Sequence, residues 1–151
     1  MNNLLIVPVD SAPEAVFKFL YEMLYVENGV AFEPGTWRAL EAGGEYICFF
    51  DDEGAVKGVV RLMAKADESG AIRQVRQVAV SPEYRGNGLG RRLMRQAEER
   101  AFAQGAESIW LEARSNAYRF YSSLGYQFVG EEFISKLTHI LHSKMEKSLL
   151  V

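Results

Sequence analysis

The chain has 151 residues, of which 48% are hydrophobic and 25% are charged, with 17 basic and 20 acidic side chains and a net charge of −3. This composition excludes a disordered chain and predicts one domain over residues 1–151, because compact domains usually hold roughly 100–150 residues. The small net charge excludes a general attraction to nucleic acid or membranes, so we expect neither partner. Cys48 is the single cysteine, which excludes an internal disulfide. With no basic leader and no apolar run of about 20 residues, this favours a cytoplasmic protein.

The first third of the chain predicts a strand and two helices. An apolar run from Leu4 to Val9 is typical of a short strand. Asp10 or Ser11 is expected to cap a helix with Pro13 in its first turn, because side-chain oxygens there accept hydrogen bonds from free backbone N–H groups. Apolar residues at helical spacing continue this helix to about residues 28–29, and a shorter helix is predicted over 36–42.

The rest of the chain predicts a sheet with helices packed on it. Extended segments over 46–50, 55–64 and 71–80 are separated by turns, which indicates an antiparallel meander. A helix then carries Leu89, Leu93, Ala97 and Ala101 on one face. The remaining predicted elements are a buried strand over 108–113, a helix over 116–124 and a hairpin over 127–133 and 140–149. Strands on both sides of helices in one small chain imply a mixed sheet.

A glycine-rich loop, Arg85-Gly86-Asn87-Gly88-Leu89-Gly90, joins a strand to this helix. Glycine lets the backbone approach a ligand closely, and a helix N-terminus offers unpaired N–H groups and a partial positive charge, so the segment predicts an anion site. Arginines in the first turns of the helix favour the same conclusion, because they oppose the helix dipole unless an anion lies there. A solvated glycine turn is the alternative. The P-loop pattern is absent, and the dinucleotide pattern fails at Leu93.

Two ordered motifs resemble those of the GNAT-type N-acetyltransferase superfamily. Arg85-x-x-Gly88-x-Gly90, preceded by Val78-Ala79-Val80, is similar to the family's acetyl-CoA pyrophosphate loop. The stretch from Leu111 to Tyr126, LEARSNAYRFYSSLGY, resembles the family's second signature. The resemblance implies an α/β GNAT fold, with a mixed, mostly antiparallel sheet of about six to seven strands and helices on both faces. It also implies that strands four and five splay apart.

The resemblance implies acetyl-CoA as the cofactor. Backbone groups of Val78 and Val80 would pair with the pantetheine arm in the splayed gap, and N–H groups from Arg85 to Gly90 would hold the pyrophosphate. On this view, side chains at the three glycines would block the phosphate oxygens. Asn116 would bond the arm, cap the helix that it opens, or do both. The residues expected at the cofactor are Val78, Ala79, Val80, Arg85, Gly86, Asn87, Gly88, Leu89, Gly90, Arg91, Asn116 and Tyr121.

The resemblance also implies an acid and a base for acetyl transfer to a primary amine. Tyr121 matches the tyrosine that protonates the coenzyme A sulfur. Glu112 matches a glutamate that acts as general base in some relatives. Pairing of Glu112 with Arg114, or its exposure on the other face of the sheet, is an equal alternative. Cys48 lies on a predicted strand far from both motifs, so we expect direct attack without a covalent enzyme intermediate.

The acceptor is expected between Tyr21 and Glu45 and at the final hairpin. Glu27 and Glu33 are candidates to act through a water, and His142 matches a histidine near the acceptor pocket of relatives, with a structural histidine as the alternative. A small-molecule amine and a peptide amine both fit as acceptors. Two histidines and a distant cysteine give no metal-ligand spacing, so no metal is expected.

Two other functions are compatible with these residues. A non-catalytic acyl-CoA sensor or interaction domain would use the same cradle without transferring the acetyl group, although Tyr121 argues against it. A nucleotide-binding module is disfavoured by the failed phosphate motifs. The resemblance also allows a homodimer, in which the exposed final strand pairs with a second copy.

Overall fold

The computed structural model describes residues 3–26, 43–136 and 138–150. Within this part of the chain the strands are β1 (Leu4–Pro8), β2 (Glu45–Phe50), β3 (Val56–Leu62), β4 (Ile72–Val80), β5 (Ser108–Arg114), β6 (Gln127–Ile134) and β7 (Leu141–Ser148). The α-helices are α1 (Glu14–Leu24), α2 (Leu89–Ala103) and α3 (Tyr118–Ser123). The strands form one sheet in the order β1-β2-β3-β4-β5-β7-β6. Only the β4–β5 pair is parallel, which confirms the predicted mixed, mostly antiparallel sheet.

The two faces of the sheet are covered by different helices. Ile47 and Phe49 of β2 belong to the apolar core that contains α2 residues, whereas Tyr46 and Cys48 belong to the core that contains α1 residues. This division follows from the alternation of side chains along a strand. Each fully buried aliphatic side chain contributes about 1.5–3 kcal/mol, so both helices are fixed on the sheet by their apolar faces.

The predicted boundaries of α1 are wrong at both ends. Its N-cap is Pro13, with no side-chain cap from the described residues, and a 3-10 helix over Val9–Ser11 precedes it. Asp10 instead accepts a hydrogen bond from the backbone N–H of Gly43 at 3.1 Å. The helix ends at Leu24. Residues 28–29 and the predicted helix over 36–42 lie outside the described residues.

The splay between β4 and β5 is confirmed by their short register. Residues 72–74 of β4 pair with residues 108–110 of β5, although the strands continue to Val80 and Arg114. β4 also contains a bulge, because its register with β3 shifts between Val59 and Arg61 and Gln77 has a left-handed φ of 57°. A bulge bends the strand that carries it. The two strands therefore enclose a gap beyond their last paired residues.

The final hairpin is confirmed, but β7 is not an exposed edge. It pairs with β5 from Ser108↔Ser148 to Arg114↔His142 and with β6 on its other side. The edges of the sheet are β1 and β6, so β7 has no free edge for pairing with a second copy. Across the described ranges, none of the helices combines the length and apolarity needed to cross a membrane.

Candidate active site

A cavity of about 570 Å³ lies in the gap between β4 and β5. Its walls come from the end of α1, from β4 and β5, from the start of α3 and from the β6–β7 connection. Cofactor and substrate sites commonly occupy concave spaces of this size, in which a few polar groups point toward the same point. The lining side chains that carry charge or hydrogen-bonding groups include Tyr25, Gln74, Arg76, Gln77, Arg85, Glu112, Arg114, Asn116, Tyr121, Ser135, Thr138 and His142.

The glycine loop presents bare backbone at the start of α2. Gly86 and Gly88 both have φ of 81°, and a Cβ added to either would meet no heavy atom of the described residues within 4 Å. Gly88 is the N-cap of α2, and in the resolved surroundings no side chain caps this helix or places an acidic group in its first turn. The first N–H groups of α2 therefore remain available to an anion.

Gly90 lacks a side chain for a different reason from the one predicted. An added Cβ would lie 3.1 Å from the ring of Phe120 and 3.7 Å from Val80. It would therefore point into the packing between α2 and α3. The prediction that all three glycines clear the way for phosphate oxygens is wrong at this position, whereas the positive φ of Gly86 and Gly88 is compatible with it.

The predicted cofactor residues are divided between the cavity wall and the loop beside it. Val78, Arg85, Asn116 and Tyr121 line the cavity. Ala79 and Leu89 are buried in the two cores, so only their backbone groups are candidates for ligand contact. The other residues named for this role, Val80, Gly86, Asn87, Gly88, Gly90 and Arg91, are not in the cavity wall.

Asn116 does not cap α3. The chain forms a 3-10 turn over Ser115–Ala117, and α3 begins only at Tyr118 with Ala117 as its N-cap. The carboxamide of Asn116 is exposed at the cavity wall instead. The predicted cap is therefore wrong, and contact with a ligand stays a prediction.

Tyr121 projects from α3 into the wall of the cavity. Its side chain is 7% exposed and packs edge-on against Phe120 and Tyr126, with ring centroids 5.0 and 5.9 Å apart. Burial raises the pKa of the Tyr121 hydroxyl, and the nearby charge of Arg114 opposes this rise. The phenol is therefore protonated at neutral pH and is available as a hydrogen-bond donor.

Glu112 faces the cavity, so both alternative placements predicted for it are wrong. It is exposed in the cavity wall, and no ion pair between described residues joins it to Arg114. Arg114 donates instead to the carbonyl of Leu24 at 2.7 Å. Lys144 pairs with Glu112 in the β5–β7 register, but its Nζ lies 4.7 Å from the Trp110 ring centroid. The Glu112 carboxylate thus faces the gap.

His142 lies in the cavity wall with a fixed ring orientation. Its side chain is 8% exposed, and Nδ1 lies 2.8 Å from the carbonyl oxygen of Ile140. A carbonyl only accepts hydrogen bonds, so Nδ1 is the donor in this contact. The ring also stacks on Phe133. Glu27 and Glu33, the other predicted acceptor residues, lie outside the described residues.

Several cavity residues were missed in the sequence. Arg114 lies two positions after Glu112 but one residue past the predicted strand over 108–113, whereas the observed β5 includes it. Extending the predicted strand by one residue would have placed both side chains on one face. Thr138 and Ser135 carried no signal, because they lie in the β6–β7 connection. Gln77 was also missed, and its Nε2 donates to the Tyr25 hydroxyl at 3.2 Å. This contact links the β4 bulge to the end of α1.

The sheet splays between β4 and β5 and a helix that begins at a glycine lies next to the gap, as the sequence resemblance implied. The chain belongs to the family described as "Acetyltransferase (GNAT) family", which it matches over residues 15–126. The match includes the glycine loop and most of the cavity wall.

Individual relatives agree with this membership. N-acetyltransferase family 8 member 3 from Rattus norvegicus is 26% identical over 132 residues, which are 83% of this chain and 56% of that protein. The chain thus spans little more than half the length of this relative. An acyl-CoA N-acyltransferase from Pseudomonas aeruginosa matches with 20% identity and a TM-score of 0.77, covering 95% of this chain and 97% of the other. An aminoglycoside 6'-N-acetyltransferase complexed with coenzyme A matches with 14% identity and a TM-score of 0.75, covering 97% and 98%. The last two likenesses show a shared fold.

Proposed function

We propose that the chain is an acetyl-CoA-dependent N-acetyltransferase that transfers an acetyl group to a primary amine by direct attack. One observation carries the proposal: the β4–β5 gap has Tyr121 and Glu112 in its wall and Arg85, the first residue of the glycine loop, at its border. Family membership supports the reaction type. A protein of the same fold that was solved with coenzyme A supports the cofactor.

The residues present fit the phosphate and pantetheine parts of acetyl-CoA. Gly86 and Gly88 leave space that a side chain would occupy, and N–H groups from Arg85 to Gly90 would hold the pyrophosphate. Arg91 adds a positive charge beside them. On the β5 side, β4 has no strand partner beyond Gln74 among the described residues, so its edge would accept the amides of the arm as an added strand. Bound acetyl-CoA supplies an activated acetyl thioester.

The bulge of β4 would orient the reacting carbonyl group. A β-bulge leaves its extra residue outside the regular ladder, and the bulge at Gln77 faces the cavity. Backbone N–H groups released from the ladder are fixed donors. They would stabilise negative charge that develops on a carbonyl oxygen beside them.

Glu112 is the proposed base. Its carboxylate is exposed to the cavity, so it can hold the acceptor ammonium and remove the proton that must leave before attack. Cys48 is unsuited to covalent catalysis, because burial raises the pKa of its thiol to about 12 and the residue lies in the core beside α1. Direct attack by the amine is therefore favoured.

Tyr121 is the proposed hydrogen-bond donor to the leaving sulfur. Because burial raises its pKa and ordinary thiols have pKa values near 8.5, full proton transfer from the phenol to the thiolate is uphill. The hydroxyl would therefore stabilise the thiolate mainly through a hydrogen bond. The charge of Arg114, which opposes the rise in pKa, would assist this donation.

The test measures cofactor binding and transfer separately. Calorimetry with acetyl-CoA is expected to show binding that Gly88→Glu abolishes, because the new carboxylate would face phosphate. A free-thiol assay over a panel of primary amines is expected to show that coenzyme A is released from acetyl-CoA only when a suitable amine is present. Binding of acetyl-CoA without thiol release in the presence of any amine would indicate a non-catalytic acyl-CoA-binding domain. An unchanged affinity of Gly88→Glu for acetyl-CoA would refute the cofactor site.

A further inference from the structure

The acceptor side of the cavity has an excess of positive charge. Of the described residues in its wall, Arg76, Arg85 and Arg114 are arginines, whereas Glu112 is the one carboxylate. Arg85 borders the glycine loop and is assigned to the cofactor above. Arg76 and Arg114 lie on the two strands that diverge around the gap. An acceptor with several positive charges would meet repulsion from both strands.

Arg114 carries a partly buried positive charge in the cavity wall. Desolvation lowers the pKa of its guanidinium. One of its N–H groups donates to the carbonyl of Leu24, and no carboxylate of the described chain forms an ion pair with it. Removing a charge from water is costly unless an opposite charge replaces the solvent. The fork of a guanidinium also matches both oxygens of a carboxylate.

A second unsatisfied group lies in the same cavity wall. Thr138 is 5% exposed, and its Oγ has no hydrogen-bond partner in the described structure. It precedes β7, whose His142 is the register partner of Arg114. A buried hydroxyl without a partner is uncommon and indicates a missing acceptor or donor. Thr138 is thus a second polar residue of the cavity wall whose hydrogen bonding is incomplete.

The spacing of Glu112 and Arg114 indicates what such an anion is attached to. The two residues are separated by two positions on β5, so their Cα atoms are about 6.6 Å apart and their side chains leave the same face. Glu112 would face an ammonium and Arg114 an anion. A molecule that carries both groups a few bonds apart complements this pair.

We propose that the acceptor is an amine that also bears a carboxylate, such as an amino acid or an acidic peptide N-terminus, and that Arg114 binds the carboxylate. The proposal rests on the proposed function and names the substrate class of that site. It places the amine at Glu112, where its proton is removed. Polyamines and other polycations are disfavoured as acceptors, because they would leave Arg114 unpaired.

The first experiment measures binding without turnover. N-acetylated amino acids and their C-terminal amides are titrated by ligand-observed NMR into the chain in the presence of coenzyme A, together with N-acetylated peptides whose second residue is aspartate or asparagine. We expect the carboxylate member of at least one matched pair to bind at least tenfold more tightly. Arg114→Gln should reduce this preference to less than threefold, and Arg114→Lys should retain part of it. Arg119→Gln, an exposed arginine outside the cavity wall, should leave the preference unchanged.

The second experiment measures transfer to the corresponding free amines. We expect kcat/KM to favour carboxylate-bearing amines, and Arg114→Gln to raise KM for them while the affinity for acetyl-CoA is retained. If Arg114→Gln does not fold, Arg76→Gln is the substitute, because an exposed side chain is replaced with little effect on folding. Arg76 supplies a second positive charge in the cavity wall, so its loss is expected to lower the same preference at least threefold. Amides that bind and react as well as acids would overturn the carboxylate site while leaving the transferase intact. Carboxylate-dependent binding without thiol release would support the site and refute the proposed reaction. Binding of polyamines alone would overturn the proposal.

Discussion

The glycine loop can be tested with two alanine substitutions that strain the backbone equally. Gly88 in the loop and Gly54 in the β2–β3 turn have φ of 81° and 85°, and a Cβ at either would meet no described atom within 4 Å. Left-handed backbone costs a non-glycine residue about 1–2 kcal/mol. Reduced freedom of the unfolded chain offsets about 0.4–1 kcal/mol of this cost. Both Gly88→Ala and Gly54→Ala should therefore lower stability by about 1 kcal/mol, or roughly 2–4 °C in Tm.

The two variants should differ in their affinity for acetyl-CoA. A methyl group at the N-cap of α2 would stand in front of the free N–H groups, and loss of one hydrogen bond to a charged group costs about 1.5–3 kcal/mol. Calorimetry should therefore show Kd raised about 10- to 150-fold for Gly88→Ala and unchanged for Gly54→Ala. Thermal unfolding verifies that the two variants are equally destabilised. Equal Kd values for both variants would refute the assignment of the loop to the pyrophosphate.

Two further predictions concern Tyr121 and the buried ionisable groups. Tyr121→Phe should lower kcat about 10- to 150-fold with the acetyl-CoA affinity unchanged, because a hydrogen bond to the charged sulfur is worth about 1.5–3 kcal/mol. Tyr118→Phe, which removes a hydroxyl bonded to Glu132 at the surface, is the matched control, and equal rates for the two variants would remove Tyr121 from the mechanism. These buried groups should leave stability unchanged up to about pH 8 and lower it at higher pH, because burial raises the pKa of Cys48 to about 12 and also raises the pKa values of Tyr121 and Tyr126. Unfolded side chains release their protons near pH 8.5–10 while the folded ones retain them, so each group costs about 1.4 kcal/mol per pH unit. Urea unfolding between pH 8 and 11 measures this loss, and a constant midpoint would contradict it.

The elements that the sequence predicted well are those set by strong periodicity. The apolar face of α2, from Leu89 to Ala101, lies in the core as expected. Apolar residues that repeat about every 3.6 positions over about four turns indicate an amphipathic helix and no other element. Helix starts were predicted less well. Asp10 and Asn116 are good capping residues, but local 3-10 turns delay both helices and redirect these side chains. Capping propensity does not specify where the chain turns.

The candidate site divides in a similar way. The glycine loop and Tyr121 were identified from motifs, since their spacing along the chain is short. Thr138 and the neighbourhood of Arg114 and His142 depend on how β7 aligns with β5. This register joins residues 28 positions apart, and no local pattern encodes it. Most of the acceptor side could therefore not be predicted from the sequence.

The pairing of β7 with β5 makes the gap mechanically unequal on its two sides. β5 is hydrogen-bonded to β7 along its whole length, so the strand that carries Glu112 and Arg114 is firmly anchored. Among the described strands, β4 pairs beside the gap only with β3, and this ladder is interrupted at the bulge. Adjustment to acceptors of different size must therefore come from β4 and the adjoining end of α1. In hydrogen exchange, the amides of β5 that face β7 should outlast those of β4 near Gln77.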